Sequence, residues 1–456
     1  MGKLKKYLPV IIVLVVGFAV YFAYYGHPSS TVFDEVHFGK FINGYLTHEY
    51  FFDIHPPLGK LIITGVASLT DYSPTFGYLQ IGDEYPDKSY MWLRLLPTLC
   101  GALLPLIIWL LCLKLGLPRR GAFFAAIAVA LNNAFLAQSR YILMDAFLLL
   151  FGFMSLWLYF KYYRERKIWV FVLSAVLATL AFSIKWTGAT FWLVIVLADI
   201  YLSRKSFGFK WLWTRFIILI ILPFALYFSI FAVHFKLLYK SGPGDAFMTP
   251  QFRKTLIGSE DSKNPDLKPL GIFSKFTELN TEMYRSNARL TAGHPYSSKW
   301  YTWPLMIRPI YYWNEGEADS QARIYQIGNP LLWWFSTIYI LYVIISVVLD
   351  LLAIVRRKPP EEKFKLRFFL AAVFAINLLP FIGITRAMFL YHYFTALIFA
   401  IIAMGYIVGR YIKSNRVIFA LMMVFLACFI FFAPLTYGLL LSDKAYNARV
   451  WLKTWR

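Results

Sequence analysis

The sequence predicts an all-α polytopic membrane protein with about eleven transmembrane helices. Of the 456 residues, 59% are hydrophobic and only 15% are charged, which is unlike the composition of soluble globular proteins. Eleven apolar runs reach the length of about 20 residues that a helix needs to cross a bilayer. The net charge of +22 comes from short basic clusters between these runs. Such clusters are typical of membrane topology signals and do not form the continuous basic surface that binds nucleic acid.

The eleven runs are distributed along the whole chain. They begin near Tyr7, Tyr90, Arg120, Ile142, Ile168, Lys185, Trp211, Asn329, Phe364, Met388 and Arg416. The first run follows the basic segment MGKLKK but is longer than a signal-peptide core and has no small-residue cleavage site, so we interpret it as an uncleaved span. All three cysteines lie inside apolar runs, and they predict neither a disulfide framework nor a thiolate metal site.

The basic clusters predict the topology. With a cytoplasmic N-terminus, six basic segments lie on the cytoplasmic side and together contain 23 of the 46 Lys and Arg residues, as the positive-inside rule requires. The external side then carries two sizeable loops, residues 26–89 and 234–328. Chemistry needs polar groups and water, so we expect the active site at these loops. No soluble domain is visible, and residues 1–456 are interpreted as one transmembrane catalytic domain.

Two adjacent carboxylates follow the first span, in the segment TVFDEVHFGK. Asp34 and Glu35 begin a stretch, DEVHFGKFINGYL, whose apolar residues recur at helical spacing, which predicts an amphipathic helix on the membrane surface. The acids could simply form a helix N-terminus, because Asp is a good cap and acids favour the first turn. Asp34 could also be a catalytic carboxylate, and a capping position would fix its orientation.

Four cations lie at or within the external ends of predicted spans: Arg94, Arg140, Lys185 and Arg386. A charge at the bilayer centre costs about 2.5 to 3.5 kcal/mol or more, so each cation needs a partner or water. Each could snorkel or pair with a nearby acid such as Asp145. Four cations from different spans on one face instead favour a shared anion, and Arg is well suited to binding phosphate.

A second polar cluster, FFDIHPPLGK, begins at residue 51. Pro56 and Pro57 restrict the backbone directly after His55, so we expect this histidine to be held in place. Three other possible metal ligands are near it in the sequence: His37, His48 and Asp53. Their spacing matches no strong ligand motif, and we expect no metal site.

An external group of cations with a fixed carboxylate suits the transfer of a group from a lipid phosphate to a hydroxyl. The cations would stabilise the charge that develops on the leaving phosphate. A hydroxyl is a weak nucleophile near neutral pH, so it needs a carboxylate to accept its proton, and Asp34 is the first candidate. Attack from the face opposite the phosphate would invert the anomeric centre.

The segments that carry these residues resemble the protein O-mannosyltransferase family. The longest is FDEVHFGKFINGYLTHEYFFDIHPPLGKLI in the first external loop. The others are QSRYILMDAFLLLF, HPYSSKWYTWPLM, IGNPLLWW and RAMFLYHYF. The resemblance implies a GT-C glycosyltransferase architecture, a polyprenyl-phosphate mannose donor, Ser or Thr hydroxyls of exported proteins as acceptors, and no cofactor.

The resemblance also implies roles for individual residues. Asp34 matches the catalytic base, and Glu35 its neighbour in acceptor or donor binding. Residues expected at the donor or its phosphate are Arg94, Gln138, Arg140, Lys185, Arg386 and His392. The segment with His55, Pro56 and Pro57 is expected to position the acceptor or the loop.

Two features depart from the family pattern. Eukaryotic members insert a β-trefoil domain into the loop between spans seven and eight, and this loop is too short for one, so the sequence does not indicate what selects the acceptor protein. The family also commonly carries an acid near Asn132. The short form suggests a prokaryotic membrane and a bacterial or archaeal carrier. The sequence does not indicate the oligomeric state.

Two alternatives remain at this stage. A related GT-C enzyme could transfer another sugar to a lipid or cell-wall acceptor, although such enzymes would not be expected to share HPYSSKW. A transporter or lipid flippase would also carry charges within the membrane. The sequence shows no inverted repeat and no paired broken helices, which disfavours a transporter.

Overall fold

The computed structural model describes residues 2–204, 208–289, 293–317 and 320–456 and is mostly helical. Its α-helices in chain order are α1 Gly2–Phe22, α2 Glu35–Thr47, α3 Leu58–Ala67, α4 Tyr90–Leu115, α5 Arg119–Ala130, α6 Asn133–Ser139, α7 Asp145–Glu165, α8 Ile168–Phe182, α9 Ala189–Ser203, α10 Phe209–Phe216, α11 Leu222–Leu237, α12 Pro250–Arg253, α13 Ile272–Arg289, α14 Pro330–Val355, α15 Phe364–Leu378, α16 Phe394–Tyr411, α17 Asn415–Phe432, α18 Pro434–Tyr437 and α19 Asp443–Asn447. The strands are β1 Ile310–Glu317, β2 Ser320–Gln326 and β3 Leu440–Ser442.

The helices occupy all eleven predicted apolar runs. Within the described residues, eight helices are long and apolar enough to cross a membrane, and a ninth span results if the bent pair α5 and α6 is counted as one. The pair bends by 55° at residues 131–132, where the Asn132 side chain accepts a hydrogen bond from the Ala134 amide and caps α6. The runs that begin at Tyr7 and Ile168 form the shorter apolar helices α1 and α8. The predicted polytopic helical fold is therefore confirmed.

The chain divides into two compact units. The first unit comprises Met1–His27, Thr98–Arg140 and Gly293–Arg456, and the second comprises Pro28–Pro97 and Tyr141–Ala292. In the first unit, α16 is buried along most of its length and packs against α5, α14 and α15. Gly121 on α5 faces Gly405 and Gly409 on α16, and a Cβ at Gly121 would lie 2.2 Å from the Gly405 carbonyl oxygen. Glycine permits this close helix contact because it lacks a side chain.

The first unit also contains a small antiparallel sheet in the order β1-β2-β3. Residue Ile310 pairs with Gln326 at one end of the β1 and β2 ladder, and the register shifts between Tyr311 and Trp313. This sheet was not predicted from the sequence. The aromatic stretch that precedes it forms a 3-10 turn, Trp300–Leu305, before β1 begins.

In the second unit, α7 and α8 form an antiparallel pair, and α2 packs on α3. Its core is a cluster of aromatic and aliphatic side chains from α2, α11, α12 and α13 and the segment after α2. The buried residues at its centre include Tyr45, Phe51, Phe231, Phe252 and Met283. The predicted amphipathic helix is present as α2, which buries Phe38, Ile42 and Tyr45 at helical spacing.

Replacing Gly121 with alanine tests the close contact between α5 and α16. The added methyl group would meet backbone that cannot move aside, so we expect Gly121→Ala to destabilise the protein by about 1–3 kcal/mol, measured by thermal unfolding in detergent. Gly65→Ala in α3 is the matched control, because a Cβ there meets nothing within 4 Å. Equal melting temperatures for the two variants would contradict the packing described.

Candidate active site

Asp34 lies at the N-cap position of α2, next to an unusual backbone conformation. Phe33 has a positive φ of 47°, which a bulky residue rarely adopts and which turns the chain just before the carboxylate. The Asp34 side chain makes no capping hydrogen bond to α2. Within the described residues it accepts no hydrogen bond and has no ion-pair partner within 4 Å, and it is half-buried. Asp34 therefore occupies the capping position without the usual side-chain hydrogen bond to the helix. Its carboxylate is thus available to accept a proton.

The surroundings of Asp34 make it a stronger base than an ordinary aspartate. Burial raises the pKa of Asp34 to about 7. The positive charge of Lys185 opposes this shift, whereas the negative charges of Asp145 and Asp53 add to it. A carboxylate that titrates near neutral pH is suited to accept a proton during a reaction.

Glu35, the next residue, is fully buried and is bound to Arg94. The Arg94 Nε donates to Glu35 Oε1 over 2.8 Å, and its Nη2 donates to Oε2 over 2.7 Å. The backbone amides of Val32 and Ile142 and the Tyr85 hydroxyl also donate to this carboxylate. Glu35 is therefore the centre of a network that fixes the chain on both sides of Asp34.

Arg94 is equally enclosed. Its remaining guanidinium hydrogens bond to the carbonyls of Pro28 and Ser30, over 2.6 Å and 2.9 Å. Aromatic rings of Tyr85, Tyr90 and Tyr141 lie about the guanidinium, with centroids at 5.4, 4.8 and 5.1 Å. The predicted contact of Arg94 with a donor phosphate has no support in this arrangement, because Glu35 and the loop carbonyls occupy its donors.

Lys185 forms an ion pair with Asp145, the acid that the sequence analysis named as a possible partner. The Lys185 Nζ donates to both carboxylate oxygens, over 2.9 Å and 2.8 Å. Asp145 is the first residue of α7, and Lys185 precedes the short turn before α9. The pair is largely buried, so it provides a fixed positive and negative charge beside Asp34.

The His55, Pro56 and Pro57 segment is held by Lys60. The Lys60 Nζ donates to the His55 and Pro56 carbonyls, over 3.1 Å and 3.2 Å, and forms a short ion pair with Asp53. Burial alone would raise the pKa of Asp53, but the charges of Lys60 and His55 and the Lys60 hydrogen bond hold it below its usual range. The predicted fixed position of this segment is therefore explained by a buried lysine that clamps it from α3.

The start of α3, directly after the two prolines, packs tightly against the residues before α7. A Cβ at Gly59 would lie 2.4 Å from the sulfur of Met144, which directly precedes Asp145. The Leu58 amide donates to the Ser183 carbonyl over 3.2 Å. Both contacts hold the start of α3 against Met144 and Ser183, which are close in the sequence to Asp145 and Lys185.

The histidines of the first loop do not assemble into a ligand cluster. Among the described residues, no three His, Cys, Asp or Glu side chains lie together as metal ligands would. The His48 Nδ1 is 3.0 Å from the Leu237 carbonyl, and its ring stacks on Tyr239. His37 is exposed, and burial of part of its ring together with the nearby Lys40 lowers its pKa.

Arg140 and Gln138, in the first unit, are buried and bonded within the protein. The guanidinium of Arg140 donates to the carbonyls of Tyr21, Ala23 and Tyr24 at the end of α1 and lies over the Tyr437 ring. It therefore caps the C-terminus of α1, where the last carbonyls have no hydrogen-bond donor within the helix. Gln138 accepts hydrogen bonds from Tyr312 and Gln326 in the sheet. These contacts make both residues structural, and they give no support to the predicted donor contacts.

Arg386 differs from the other three cations. It is half-buried and forms no hydrogen bond or ion pair with the parts of the chain that are described. Burial lowers its pKa from the ordinary arginine value, although the nearby Tyr391 opposes the shift. A guanidinium that is partly removed from water without a counterion can bind an added anion favourably.

Two of the sequence segments that resemble the family meet around Arg386. The Ser298 amide donates to the Met388 carbonyl over 2.8 Å, and the His294 ring lies edge-on to Phe389 at 5.0 Å. The ring of His392 stacks at 5.9 Å on Trp303, whose indole nitrogen donates to the Ser298 hydroxyl. The HPYSSKW segment therefore supports the loop that carries Arg386.

Three residues at the site were not assigned a role from the sequence. Lys60 binds carbonyls of the proline segment, the Tyr85 hydroxyl donates a hydrogen bond to Glu35, and the negative charge of Asp53 raises the pKa of Asp34. The sequence position of Lys60 could have indicated its contact with Asp53. It lies seven residues after Asp53 at the start of an apolar helix, where a lysine is buried and requires an acid. Nothing in the spacing of Tyr85 indicates its contact.

Comparison with known proteins identifies the same regions. The family model described as dolichyl-phosphate-mannose-protein mannosyltransferase matches residues 11–239, and the model for the C-terminal four-transmembrane region of protein O-mannosyltransferase matches residues 272–455. Dolichyl-phosphate-mannose-protein mannosyltransferase 4 of Candida albicans is 36% identical over 294 residues. That alignment covers 60% of this chain and 38% of the relative, so the chain matches well under half of the relative's length.

Solved structures share the fold. A chain of the Saccharomyces cerevisiae protein O-mannosyltransferase Pmt1-Pmt2 complex bound to the sugar donor matches with a TM-score of 0.90 at 22% identity, covering 100% of this chain and 93% of that chain. The apo oligosaccharyltransferase of Archaeoglobus fulgidus matches with a TM-score of 0.55 at 13% identity, covering 99% and 58%. The predicted GT-C architecture of an integral membrane protein is thereby confirmed. On its sequence, this chain belongs to the dolichyl-phosphate-mannose-protein mannosyltransferase family.

Proposed function

We propose that this protein transfers mannose from a polyprenyl-phosphate mannose donor to Ser or Thr hydroxyls of exported proteins. The observation that carries the proposal is Asp34, a half-buried carboxylate that has no bonding partner among the described residues and whose pKa burial raises to about 7. Membership of the family supports the donor and acceptor classes. The second unit contains Asp34, a carboxylate that can accept a proton, and the first unit contains Arg386, a guanidinium that can bind an anion.

Asp34 acts as the general base in this reaction. Its carboxylate accepts the proton of the acceptor hydroxyl while that oxygen forms a bond to the anomeric carbon of the mannose. The bond from this carbon to the phosphate oxygen breaks, and the polyprenyl phosphate leaves with the electron pair. Attack opposite the leaving group inverts the anomeric centre. No metal or cofactor is needed for the balance of atoms and charge.

Glu35 and Arg94 act as positioning residues and do not touch the substrates. Their network holds Val32 and Ile142, so it fixes the backbone on which Asp34 stands. Lys185 and Asp145 set the electrostatic field at Asp34, since the positive charge lowers and the negative charge raises its pKa. The His55, Pro56 and Pro57 segment has a similar supporting function, because Lys60 clamps two of its carbonyls.

Arg386 is the residue that we assign to the carrier phosphate, with His392 as its support. The lack of a counterion among the described residues and its position between two family segments favour this assignment. A free guanidinium can form two parallel hydrogen bonds to a phosphate as negative charge develops on it. Arg140 and Gln138 serve the framework of the first unit, because protein groups already occupy them.

The location follows from the loop lengths and the basic residues. We place the protein in a prokaryotic cell membrane because the loop between spans seven and eight is too short for the β-trefoil domain of eukaryotic members. We place the N-terminus in the cytoplasm and the reactive loops outside because half of the Lys and Arg residues lie in short basic segments on the side of the N-terminus. The carrier is then a bacterial or archaeal polyprenyl phosphate. A related GT-C enzyme with another sugar is the alternative, and mass spectrometry of exported proteins with and without this gene would distinguish the two by sugar mass and acceptor residue.

The variant Asp34→Asn tests the general base. The amide cannot accept the hydroxyl proton, so we expect mannosyl transfer to a peptide to fall by about 10²–10⁴-fold or more. Binding of the lipid donor should be unchanged, because Asp34 carries none of the assigned phosphate contacts. The control is Asp87→Asn, an exposed acid of the same loop. Turnover retained by Asp34→Asn would remove this residue from the role of base.

The pH dependence of the rate tests the perturbed carboxylate. The reactive form is the carboxylate, and burial raises its pKa to about 7. Activity should therefore be present above this pH and should decrease below it, by about tenfold for each further pH unit. The measurement is kcat/KM for the peptide from pH 5 to 9, about the range in which such a group titrates. An acid limb near the ordinary aspartate pKa would contradict the proposed role of burial.

The variant Arg386→Ala tests the phosphate contact. Loss of the guanidinium should raise the KM for the lipid donor more than the KM for the peptide, and Arg386→Lys should restore part of the donor affinity because it retains the positive charge. Arg416→Ala, which removes an exposed arginine on α17, is the matched control. Equal effects of Arg386→Ala on both substrates would argue against a phosphate contact.

A further inference from the structure

A short segment of the first unit, residues 451–456, packs against two long helices. We call it the strap segment. Trp455 lies in its 3-10 turn, Lys453–Trp455, and is 3% exposed. The centroid of the Trp455 ring is 6.2 Å from that of Trp334 on α14 and 6.1 Å from that of Phe432 on α17. Aromatic packing against two helices gives the strap segment a fixed base.

The strap segment is hydrogen-bonded to three consecutive residues before β1. The Trp455 indole nitrogen donates to the Met306 carbonyl over 2.8 Å, in a buried hydrogen bond. The Thr454 hydroxyl donates to the Ile307 carbonyl. In the opposite direction, Nη1 of Arg308 donates to the Thr454 carbonyl over 3.0 Å. The backbone before β1 is therefore held by the strap segment.

The guanidinium of Arg308 extends this connection to HPYSSKW. Its Nε and Nη2 both donate to the Pro295 carbonyl, over 3.2 Å and 2.9 Å, and its central carbon lies 5.1 Å from the centroid of the Tyr296 ring. The planar fork of arginine suits such a double contact. All three guanidinium nitrogens thus donate to carbonyls, and Arg308 joins Thr454 to Pro295.

HPYSSKW in turn holds the loop that carries Arg386. The His294 ring lies edge-on to Phe389, and the Ser298 amide donates to the Met388 carbonyl. Met388 and Phe389 are the second and third residues after Arg386. Because Arg386 forms no hydrogen bond or ion pair with the described residues, its position depends on the backbone that these contacts hold.

We infer that Arg308 is a positioning residue, which ties the strap segment to HPYSSKW and thereby holds Arg386 where it binds the carrier phosphate. The inference rests on the proposed function, which assigns Arg386 to this phosphate. A guanidinium that forms two parallel hydrogen bonds to a phosphate needs a well-defined position. Loss of the connection therefore weakens donor binding. Asp34 has no part in these contacts, so use of the acceptor peptide does not change.

The test measures the Kd of the purified protein for polyprenyl-phosphate mannose and the KM for the acceptor peptide. Arg308→Ala should raise the donor Kd by about three- to tenfold and leave the peptide KM unchanged. Arg308→Lys should raise the donor Kd to a similar extent, because an ammonium keeps the charge but lacks the fork that joins the two carbonyls. Trp455→Phe removes one hydrogen bond, keeps the aromatic packing and should have a smaller effect in the same direction.

A double-mutant cycle separates positioning from a general loss of stability. In the Arg386→Ala background, Arg308→Ala should cause no further increase in the donor Kd, because the residue that it positions has been removed. A merely structural role of Arg308 would weaken donor binding equally in both backgrounds.

Two matched controls come from the same unit. Arg323→Ala removes another guanidinium, which lies 4.1 Å from the centroid of the Tyr446 ring and pairs with Asp443. Trp451→Phe removes an indole N–H that donates to the Ala448 carbonyl. Neither variant alters the connection from the strap segment to HPYSSKW, so neither should change the donor Kd.

The outcomes separate this inference from the proposed function. An unchanged donor Kd in Arg308→Ala and Trp455→Phe, additive effects of Arg308→Ala and Arg386→Ala, or full rescue by Arg308→Lys would each overturn the inference. If Arg308→Ala does not fold, Arg308→Lys and Trp455→Phe in the same cycle decide. A wild type that binds the donor but transfers mannose to no peptide would contradict the proposed function, whereas the donor Kd values would still test the positioning by Arg308.

Discussion

The buried ion pair between Glu35 and Arg94 is the interaction on which the site depends. Both side chains are fully buried, and further hydrogen bonds to each of them compensate their charges in the apolar interior. Removing one partner of such a pair typically costs about 3–5 kcal/mol, because the other charge stays buried. The pair joins the loop before α2 to α4 and to the residues before α7. These contacts define the position of the adjacent Asp34, whose side chain has no bond to the described part of the chain.

The three other cations predicted at the site show how differently a protein can use the same charge. Lys185 is bonded to an acid, Arg140 to backbone carbonyls, and Arg386 to no described group. Protein groups compensate the charges of Lys185 and Arg140, and within the described residues only Arg386 retains capacity for a ligand. A charge at a span end predicts that a partner is needed, but it does not indicate whether that partner is a substrate.

The sequence predicted the helices better than it predicted the site. The eleven apolar runs and the periodicity of α2 depend on local composition, so they were visible without a structure. The sheet was not, because β3 has only three residues and pairs with β2 from a distant part of the chain. The capping of α1 by Arg140 was also hidden, since its partners are carbonyls that have no signature in the side chains. Asp34 and its helix were found because a carboxylate pair beside an apolar run is costly and rare.

The close approach of Gly59 to Met144 links the architecture of the loop to the acidity of the base. Any larger residue at position 59 would press against the Met144 side chain, which directly precedes Asp145, the negative member of the charge pair beside Asp34. With Asp34 as the proposed base, this glycine contact lies next to the charges that determine the pH range of proton transfer. Homologues adapted to acidic or alkaline surroundings could shift that range through this packing contact while leaving every reacting group unchanged.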